Sequence, residues 1–84
     1  MVLLDELQKA ERRSVGVKQV EKAVAKANAL KVFVASDADP RVTARLLAMC
    51  EDKQLEVVTV ETMHELGKAC GIHVKAAAAV ILKN

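Results

Sequence analysis

The sequence predicts an α/β domain in which helices cover both faces of a single sheet. Two observations support this class: helical and extended patterns alternate along the chain, and the extended segments are almost wholly apolar, as in strands buried on both faces. The length of 84 residues allows one small domain and no more. We therefore expect residues 1–84 to form one domain.

The N-terminal part of the chain shows two helical patterns. Residues 3–13 have leucines and an alanine at helical spacing with charged residues between them, which predicts a helix, whereas residues 14–16 are too few to assign. A second helix is predicted from Val17 or Lys18 to Asn28. Its apolar stripe would consist of Val20, Ala23, Val24 and Ala27.

Three apolar segments predict strands. Residues 31–36 and 55–60 are rich in β-branched or aromatic side chains, which are typical of buried strands. Residues 76–82 are ambiguous, because their four alanines favour a helix whereas the Val-Ile-Leu ending and the short length favour a strand. We predict a strand there, because the other two strands need a further partner to complete a sheet.

Two more helices are predicted from signals at their ends. Asp39 suits the N-cap position and Pro40 the first helical position, so a helix is expected from there to about residue 53. Thr62 and Glu65 fit a capping box, which predicts a short helix that Gly71 ends.

The composition excludes several classes of protein. No apolar run approaches the ~20 residues of a membrane span, and the N-terminus lacks the pattern of a secretory signal, so we expect a cytoplasmic protein without a membrane partner. The single Phe excludes binding modes that stack bases on rows of aromatic side chains. The chain also lacks a glycine-rich phosphate loop, an activated nucleophile and a carboxylate pair, so we expect no enzyme and no cofactor.

Metal and disulfide sites are not predicted. Cys50 and Cys70 lack the paired spacing of a zinc site, and lone cysteines in apolar surroundings are usually buried thiols. Asp37 and Asp39 allow an alternative interpretation as a magnesium or phosphoacceptor site. Capping is favoured because Pro40 follows directly.

Charge is distributed unevenly along the chain, although the net charge is only +2. Residues 12–31 carry +5 and residues 66–84 carry +3, whereas residues 51–65 carry −4 and are expected to face away from an anionic partner. Uneven charge of this kind allows a polyanion to bind although the total is small.

Three lysines of the second helix lie on one face, since Lys18, Lys22 and Lys26 are spaced by four. Such lysines are commonly the solvated side of an amphipathic helix. Lys18 and Lys22, however, lie near a helix N-terminus, where the dipole disfavours cations and a bound anion would offset the repulsion. The amide of Gln19 between them can hydrogen-bond a base edge.

Four segments in this order resemble a known family. They are residues 16–19 with Lys22, residues 34–40, residues 65–72 and residues 76–82. Together they are similar to the small bacterial members of the L-seven-Ae ribosomal protein family, which bind kink-turn RNA, and the resemblance runs from Ala10 to Leu82. It implies a three-layer α/β/α sandwich around a mixed four-stranded sheet, and RNA binding without catalysis.

The resemblance also implies where RNA would bind. The start of the second helix would enter the widened major groove beside tandem sheared G·A pairs, with Lys18 and Gln19 in place of the family's usual Asn and Glu, and Val17 in place of a common Thr. Asp37 would position Lys22, and the loop over residues 72–75 would cover flipped-out nucleotides. The predicted RNA-binding residues are Gly16, Val17, Lys18, Gln19, Lys22, Lys26, Asp37, Ile72, His73, Val74 and Lys75.

The predicted partner is a structured RNA that contains a kink-turn, such as ribosomal RNA, a riboswitch or another transcript, with association to the ribosome and a monomeric protein expected. For the apolar loop residues Ile72 and Val74, ordinary core burial is an equally good interpretation. One function of another class stays open: a small α/β interaction or assembly module whose acidic residues 51–65 dock a basic partner.

Overall fold

The computed structural model describes residues 5–83 and contains four helices and four strands in that range. In chain order these are α1 (Asp5–Lys9), β1 (Arg13–Val15), α2 (Val17–Ala25), β2 (Ala29–Ala35), α3 (Pro40–Asp52), β3 (Val57–Val60), α4 (Met63–Ala69) and β4 (Ala78–Leu82). The strands form one sheet in the order β1-β4-β2-β3. Strand β4 is antiparallel to both β1 and β2, whereas β2 and β3 are parallel, so the predicted mixed four-stranded sheet is confirmed.

Each face of the sheet is covered by its own hydrophobic core. Along β2, Phe33 and Ala35 pack into the core beneath α1 and α4, whereas Val32 and Val34 pack into the core beneath α2 and α3. This alternation follows from the two-residue period of a strand, which sends successive side chains to opposite faces. Helices therefore lie on both faces, and the predicted α/β/α sandwich is confirmed.

The predicted first helix is wrong in its C-terminal part. Helix α1 ends at Lys9, and Arg13 already belongs to β1; residues 3 and 4 of the predicted helix lie outside the described residues. The guanidinium group of Arg13 donates to the carbonyl oxygens of Leu7, Gln8 and Ala10 at 3.1–3.2 Å. This contact satisfies carbonyls that a helix end leaves unpaired, so the chain turns into β1 there.

Helix α2 begins at Val17 as predicted but ends at Ala25, earlier than expected. Val20, Ala23 and Val24 are buried against the sheet. Ala27 does not extend this stripe: it follows the helix, is exposed and has φ +58°.

The ambiguous alanine-rich segment is a strand, as predicted. β4 pairs with β1 on one side and with β2 on the other. Its residues from Ala78 to Ile81 are buried, and their alanines leave room for helices on both faces. The burial of a central strand outweighs the helix propensity of alanine.

Candidate nucleic-acid interface

Three loops meet at the edge of the sheet where β1, β2 and β3 end and β4 begins. The backbone N–H of Gly16 donates to the Ala78 carbonyl at 2.9 Å, which joins the start of α2 to the start of β4. The N–H of Ala35 donates to the Ala77 carbonyl at 3.0 Å, which joins the loop after β2 to the same place. We call this surface the loop edge; it comprises residues 16–19, 36–39 and 72–77. The sequence segments that carry the family resemblance therefore adjoin one another in the fold.

The N-terminus of α2 at the loop edge has no side-chain cap. Gly16 is the N-cap residue, with φ 107° and ψ 143°, and no side-chain hydrogen bond caps the helix. The first backbone N–H groups of a helix have no partner within it, so they are available to an external acceptor. Lys18, Gln19 and Lys22 are exposed, and no acidic residue lies in the first turn. Free amides beside cations are suited to an anionic ligand.

Two other helices begin at the loop edge, and both carry the caps that the sequence predicts. The Asp39 carboxylate accepts a hydrogen bond from the Arg41 backbone N–H at 2.9 Å, at the start of α3. Its ion pair with the Arg41 guanidinium, followed by that backbone bond, lowers the pKa of Asp39. At α4 the Thr62 hydroxyl accepts from the Glu65 backbone N–H at 3.1 Å, which is the first half of the predicted capping box.

Asp37 makes a different contact from the predicted one. Its carboxylate accepts a hydrogen bond from the Met63 backbone N–H at 2.8 Å, so it caps α4. Among residues 5–83, none of the ion pairs involves Lys22. The predicted pairing of Asp37 with Lys22 is therefore not seen in this structure, in which the carboxylate is bound to the Met63 amide.

Helix α4 packs directly against the loop over residues 72–75. A Cβ atom on Gly67 would overlap the carbonyl oxygen of Val74, so only glycine lets the helix and the loop approach this closely. The Ile72 N–H donates to the Gly67 carbonyl and the Ala76 N–H donates to the Met63 carbonyl, both at 3.1 Å. These contacts fix the loop at both of its ends.

The two apolar residues of this loop have different environments. Ile72 is half-buried and packs against the core beneath α1 and α4, so core burial is the correct interpretation for it. Val74 is 68% exposed, although it is a large apolar side chain. His73 and Lys75 beside it are exposed as well. The loop therefore presents one aliphatic side chain between polar neighbours.

Two predicted site residues do not contribute side chains to the loop edge. Val17 is partly buried against the core beneath α2 and α3, which leaves only its backbone available. Lys26 is the C-cap of α2, and the helical rise of 1.5 Å per residue places it about 15 Å from Gly16. Spacing by four correctly placed the three lysines on one face, but it did not take account of their distance along the axis.

Two of the cations in residues 12–31 are bound by other groups of the protein. Lys31 binds the Glu6 carboxylate at 2.6 Å and lies 3.8 Å from Glu56, and the hydrogen bond that Lys31 donates to Glu6 is the main cause that raises the pKa of Lys31. Arg13 donates to the Cys70 carbonyl at 3.2 Å in addition to its contacts with α1. These two cations stabilise the fold and do not face a ligand.

The acidic residues 51–65 divide between opposite edges of the sheet. Glu51 and Asp52 end α3 and Glu56 precedes β3, so these three lie away from the loop edge. Glu61 follows β3 and Glu65 lies in the first turn of α4, which places them on the loop-edge side. The expectation that the whole segment faces away is therefore wrong for its second half.

Residues 5–83 contain no group of three or more His, Cys, Asp or Glu side chains arranged to hold a metal ion. Cys50 and Cys70 are free and buried, and burial raises the pKa of both thiols. In that same range, no helix has the length and apolar character needed to cross a membrane.

The fold and the loop edge define a small α/β/α protein that presents an uncapped, lysine-bearing helix start beside an exposed aliphatic loop. Comparison with known sequences specifies the family. The chain belongs to the ribosomal protein L7Ae/L30e/S12e/Gadd45 family, whose profile matches residues 1–84. The predicted family is thereby confirmed, and with it the prediction that the chain is not an enzyme.

Individual relatives agree with this placement. A Bacillus pumilus protein named RNA-binding protein is 38% identical over 78 residues, which cover 93% of this chain and 95% of the relative. RNA-binding protein YbxF of Geobacillus stearothermophilus is 39% identical over 69 residues, covering 82% and 84% respectively. The solved structure of the Giardia lamblia 15.5kD RNA binding protein superimposes with a TM-score of 0.90 at 30% identity and covers 98% of this chain and 72% of that one.

Two residues that shape the loop edge were missed from the sequence. Gly67 lies inside a helical pattern. A glycine at such a position indicates close packing, but the pattern does not show what packs against it. Arg13 was assigned to a free cationic segment, because its four carbonyl acceptors lie in or just after α1 and just after α4, which only the fold brings together.

Proposed function

We propose that this protein binds RNA through the loop edge and recognises kink-turn structure without catalysing a reaction. The observation that carries the proposal is the uncapped N-terminus of α2, with Lys18 exposed beside it, Lys22 exposed one turn further along the helix and Val74 exposed on the adjoining loop. Free amides and cations bind phosphates, whereas an exposed aliphatic side chain binds an unstacked base.

Each part of the loop edge has a separate role in this proposal. Lys18 and Lys22 contact phosphates and set affinity and position, and the Gln19 amide hydrogen-bonds a base edge beside the sheared G·A pairs. Val74 covers a base that the kink has splayed out. Because A-form RNA keeps its major groove narrow, the protein binds the kinked state in preference to the extended one and so stabilises it.

Family membership and the names of the relatives support RNA as the ligand. We further propose that residues 1–84 act as one RNA-binding domain, monomeric and cytoplasmic, with a kink-turn of ribosomal RNA, a riboswitch or another transcript as the target and the ribosome as one place of action.

The experiment compares two lysines that lie one turn apart on the same helix, Lys22 at about 9 Å along the axis from Gly16 and Lys26 one turn further away. We expect Lys22→Ala to weaken binding to a kink-turn RNA and to reduce the dependence of log K on log salt concentration by about one unit. Lys26→Ala removes the same charge about 15 Å away from Gly16, so it should change both quantities much less. Titrations over a range of KCl concentrations measure both.

A second RNA tests specificity for the kink-turn. In this RNA the sheared G·A pairs are replaced by Watson–Crick pairs, and we expect far weaker binding to it. Equal affinity for both RNAs would leave a general polyanion binder. The absence of binding to any structured RNA at near-physiological salt would favour the interaction module instead.

A further inference from the structure

A cleft on the outer side of α4 adjoins the loop edge and shares Val74 with it. It has a volume of about 280 Å³ and lies between α4 and the loop that follows it. We call it the α4 cleft. Its lining residues are His64, Lys68, Ile72, His73 and Val74.

We propose that the α4 cleft binds a phosphodiester group of the RNA backbone, next to the nucleotides that the loop edge contacts. This inference rests on the proposed function, since it assigns a further contact to the same RNA. The arrangement that carries it is a cleft lined by three nitrogen-bearing side chains, His64, Lys68 and His73, together with the apolar side chains of Ile72 and Val74.

The chemistry of the cleft matches that ligand. His64 and Lys68 are four residues apart on α4, so they lie one above the other on the same side of the helix. Lysine donates three hydrogen bonds, and a protonated imidazole donates from both nitrogens. Phosphate oxygens accept such bonds, and the carbon atoms of the attached ribose can pack on Ile72 and Val74.

No acidic residue lines the cleft. None of the ion pairs among residues 5–83 involves Lys68, so its ammonium group is available to a ligand. The charged groups around α4 are Asp5, Glu6 and Lys9 of α1, Glu61 and Glu65 near the start of α4, Asp37 of the loop after β2, Lys31 of β2, Arg13 of β1 and Lys75 of the loop. Of these, Glu6 is bound by Lys31, and Arg13 is occupied by backbone carbonyls. The Asp37 carboxylate accepts a hydrogen bond from the Met63 amide.

The shared loop connects the cleft to the loop edge. Val74 belongs to both surfaces, with Lys75 on one side of it and His73 on the other. An RNA strand that places a base against Val74 therefore continues across α4, and its next phosphate reaches the cleft. The cleft extends the proposed interface by one backbone contact.

Proton uptake gives a readout that separates this contact from those of α2. Histidine is the side chain that ordinarily gains charge between pH 8 and 5. The chain has two histidines, and both line the cleft. If the cleft holds a phosphate, we therefore expect acidification to strengthen RNA binding through these two side chains.

The experiment measures affinity and salt dependence for the kink-turn RNA at about pH 8 and about pH 5.5. For the unmodified protein we expect binding about threefold to tenfold tighter at the lower pH, with a salt slope steeper by about one unit. The double variant His64→Gln/His73→Gln should show no such change between the two pH values. Lys68→Gln should reduce the slope at both pH values.

The same data separate failure of the cleft from failure of the proposed function. If the double variant responds to pH as the unmodified protein does, the response belongs to the RNA and the cleft proposal is wrong. An unaltered slope for Lys68→Gln at both pH values would overturn it equally. Failure of the proposed function has another signature: at pH 8 the kink-turn RNA and the RNA with Watson–Crick pairs would bind equally.

Discussion

Helices α2 and α4 begin at the same edge of the sheet, yet their first turns are completed differently. At α4, Thr62 and Asp37 accept hydrogen bonds from backbone amides, and Glu65 places an acid in the first turn. At α2, Gly16 supplies no side chain, and Lys18 places a cation where the helix dipole disfavours one. The protein thus satisfies the start of α4 with its own groups and leaves the start of α2 for an acceptor from outside.

The two helices also use glycine for opposite reasons. Gly16 has open space around the position of a Cβ atom but a backbone conformation that other residues rarely adopt. Gly67 has no room, because the Val74 carbonyl lies directly against it. One glycine is required by conformation and the other by packing, and substitutions distinguish the two.

The largest effect is expected at Gly67. Gly67→Ala places a methyl group against backbone that cannot move aside as a side chain could, so we expect a loss of about 3 kcal/mol in the free energy of unfolding. Urea unfolding measures it, and RNA affinity should fall because the Val74 loop is displaced. In an unobstructed helix the same change stabilises by about 1 kcal/mol, so a rise in stability would contradict the packing described here.

Gly16→Ala should destabilise by about 2 kcal/mol, because φ 107° is strained for an L-residue. Urea unfolding measures this loss. Because the position of a Cβ atom at Gly16 has open space around it, crowding does not contribute to the loss. An unchanged unfolding midpoint would show that the backbone conformation does not require glycine.

Asp37→Ala should cost about 1 kcal/mol, because it leaves the Met63 amide at the start of α4 without its acceptor. Asp37→Asn keeps an acceptor oxygen and should recover most of that loss in the same unfolding measurement. If Asp37 instead acted through its charge on Lys22, the asparagine variant would lose RNA affinity as strongly as the alanine variant. The pair of variants thus tests the corrected role of this residue.

The smallest effect concerns the cap of α3, which also begins at the loop edge. Because Arg41 lowers the pKa of Asp39 in the folded protein, this carboxylate contributes stability above its ordinary pKa of 3.8, and the contribution is lost as pH falls through the lowered value. Arg41→Ala should make this acid-range loss smaller in unfolding measured at about pH 6 and about pH 3. An unchanged pH dependence would show that the exposed ion pair contributes nothing.

Local signals predicted most of the fold, and long-range contacts account for what they missed. Asp39, Thr62 and Gly71 act within a few residues of themselves, and the structure confirms their predicted positions at helix ends. The sequence does not indicate β1, because three residues are too few to show the alternating pattern of a strand. The helical spacing of the leucines before it also predicts a helix that continues into this segment. Its existence depends on pairing with β4, more than sixty residues later.

The same difference between local signals and long-range contacts applies to the candidate site. Gly16, Lys18, Gln19 and Lys22 were found because the helix start that exposes them is local. The contact of Asp37 with Met63 joins residues 26 positions apart, so no local spacing indicates it. Likewise, Ile72 is half-buried and Val74 is exposed because of how the loop packs on the core, and the sequence of two aliphatic residues in one short loop does not indicate this difference.

The two outer strands of the sheet have a consequence for self-association. An unpaired strand edge is a template on which another chain can add a strand, and proteins limit this by keeping such edges short or charged. Here β1 has three residues and includes Arg13, and β3 has four. The long apolar strands β2 and β4 are both interior. The segments with the greatest tendency to aggregate are thus enclosed, and the solvent-facing edges offer few hydrogen bonds to a growing fibril.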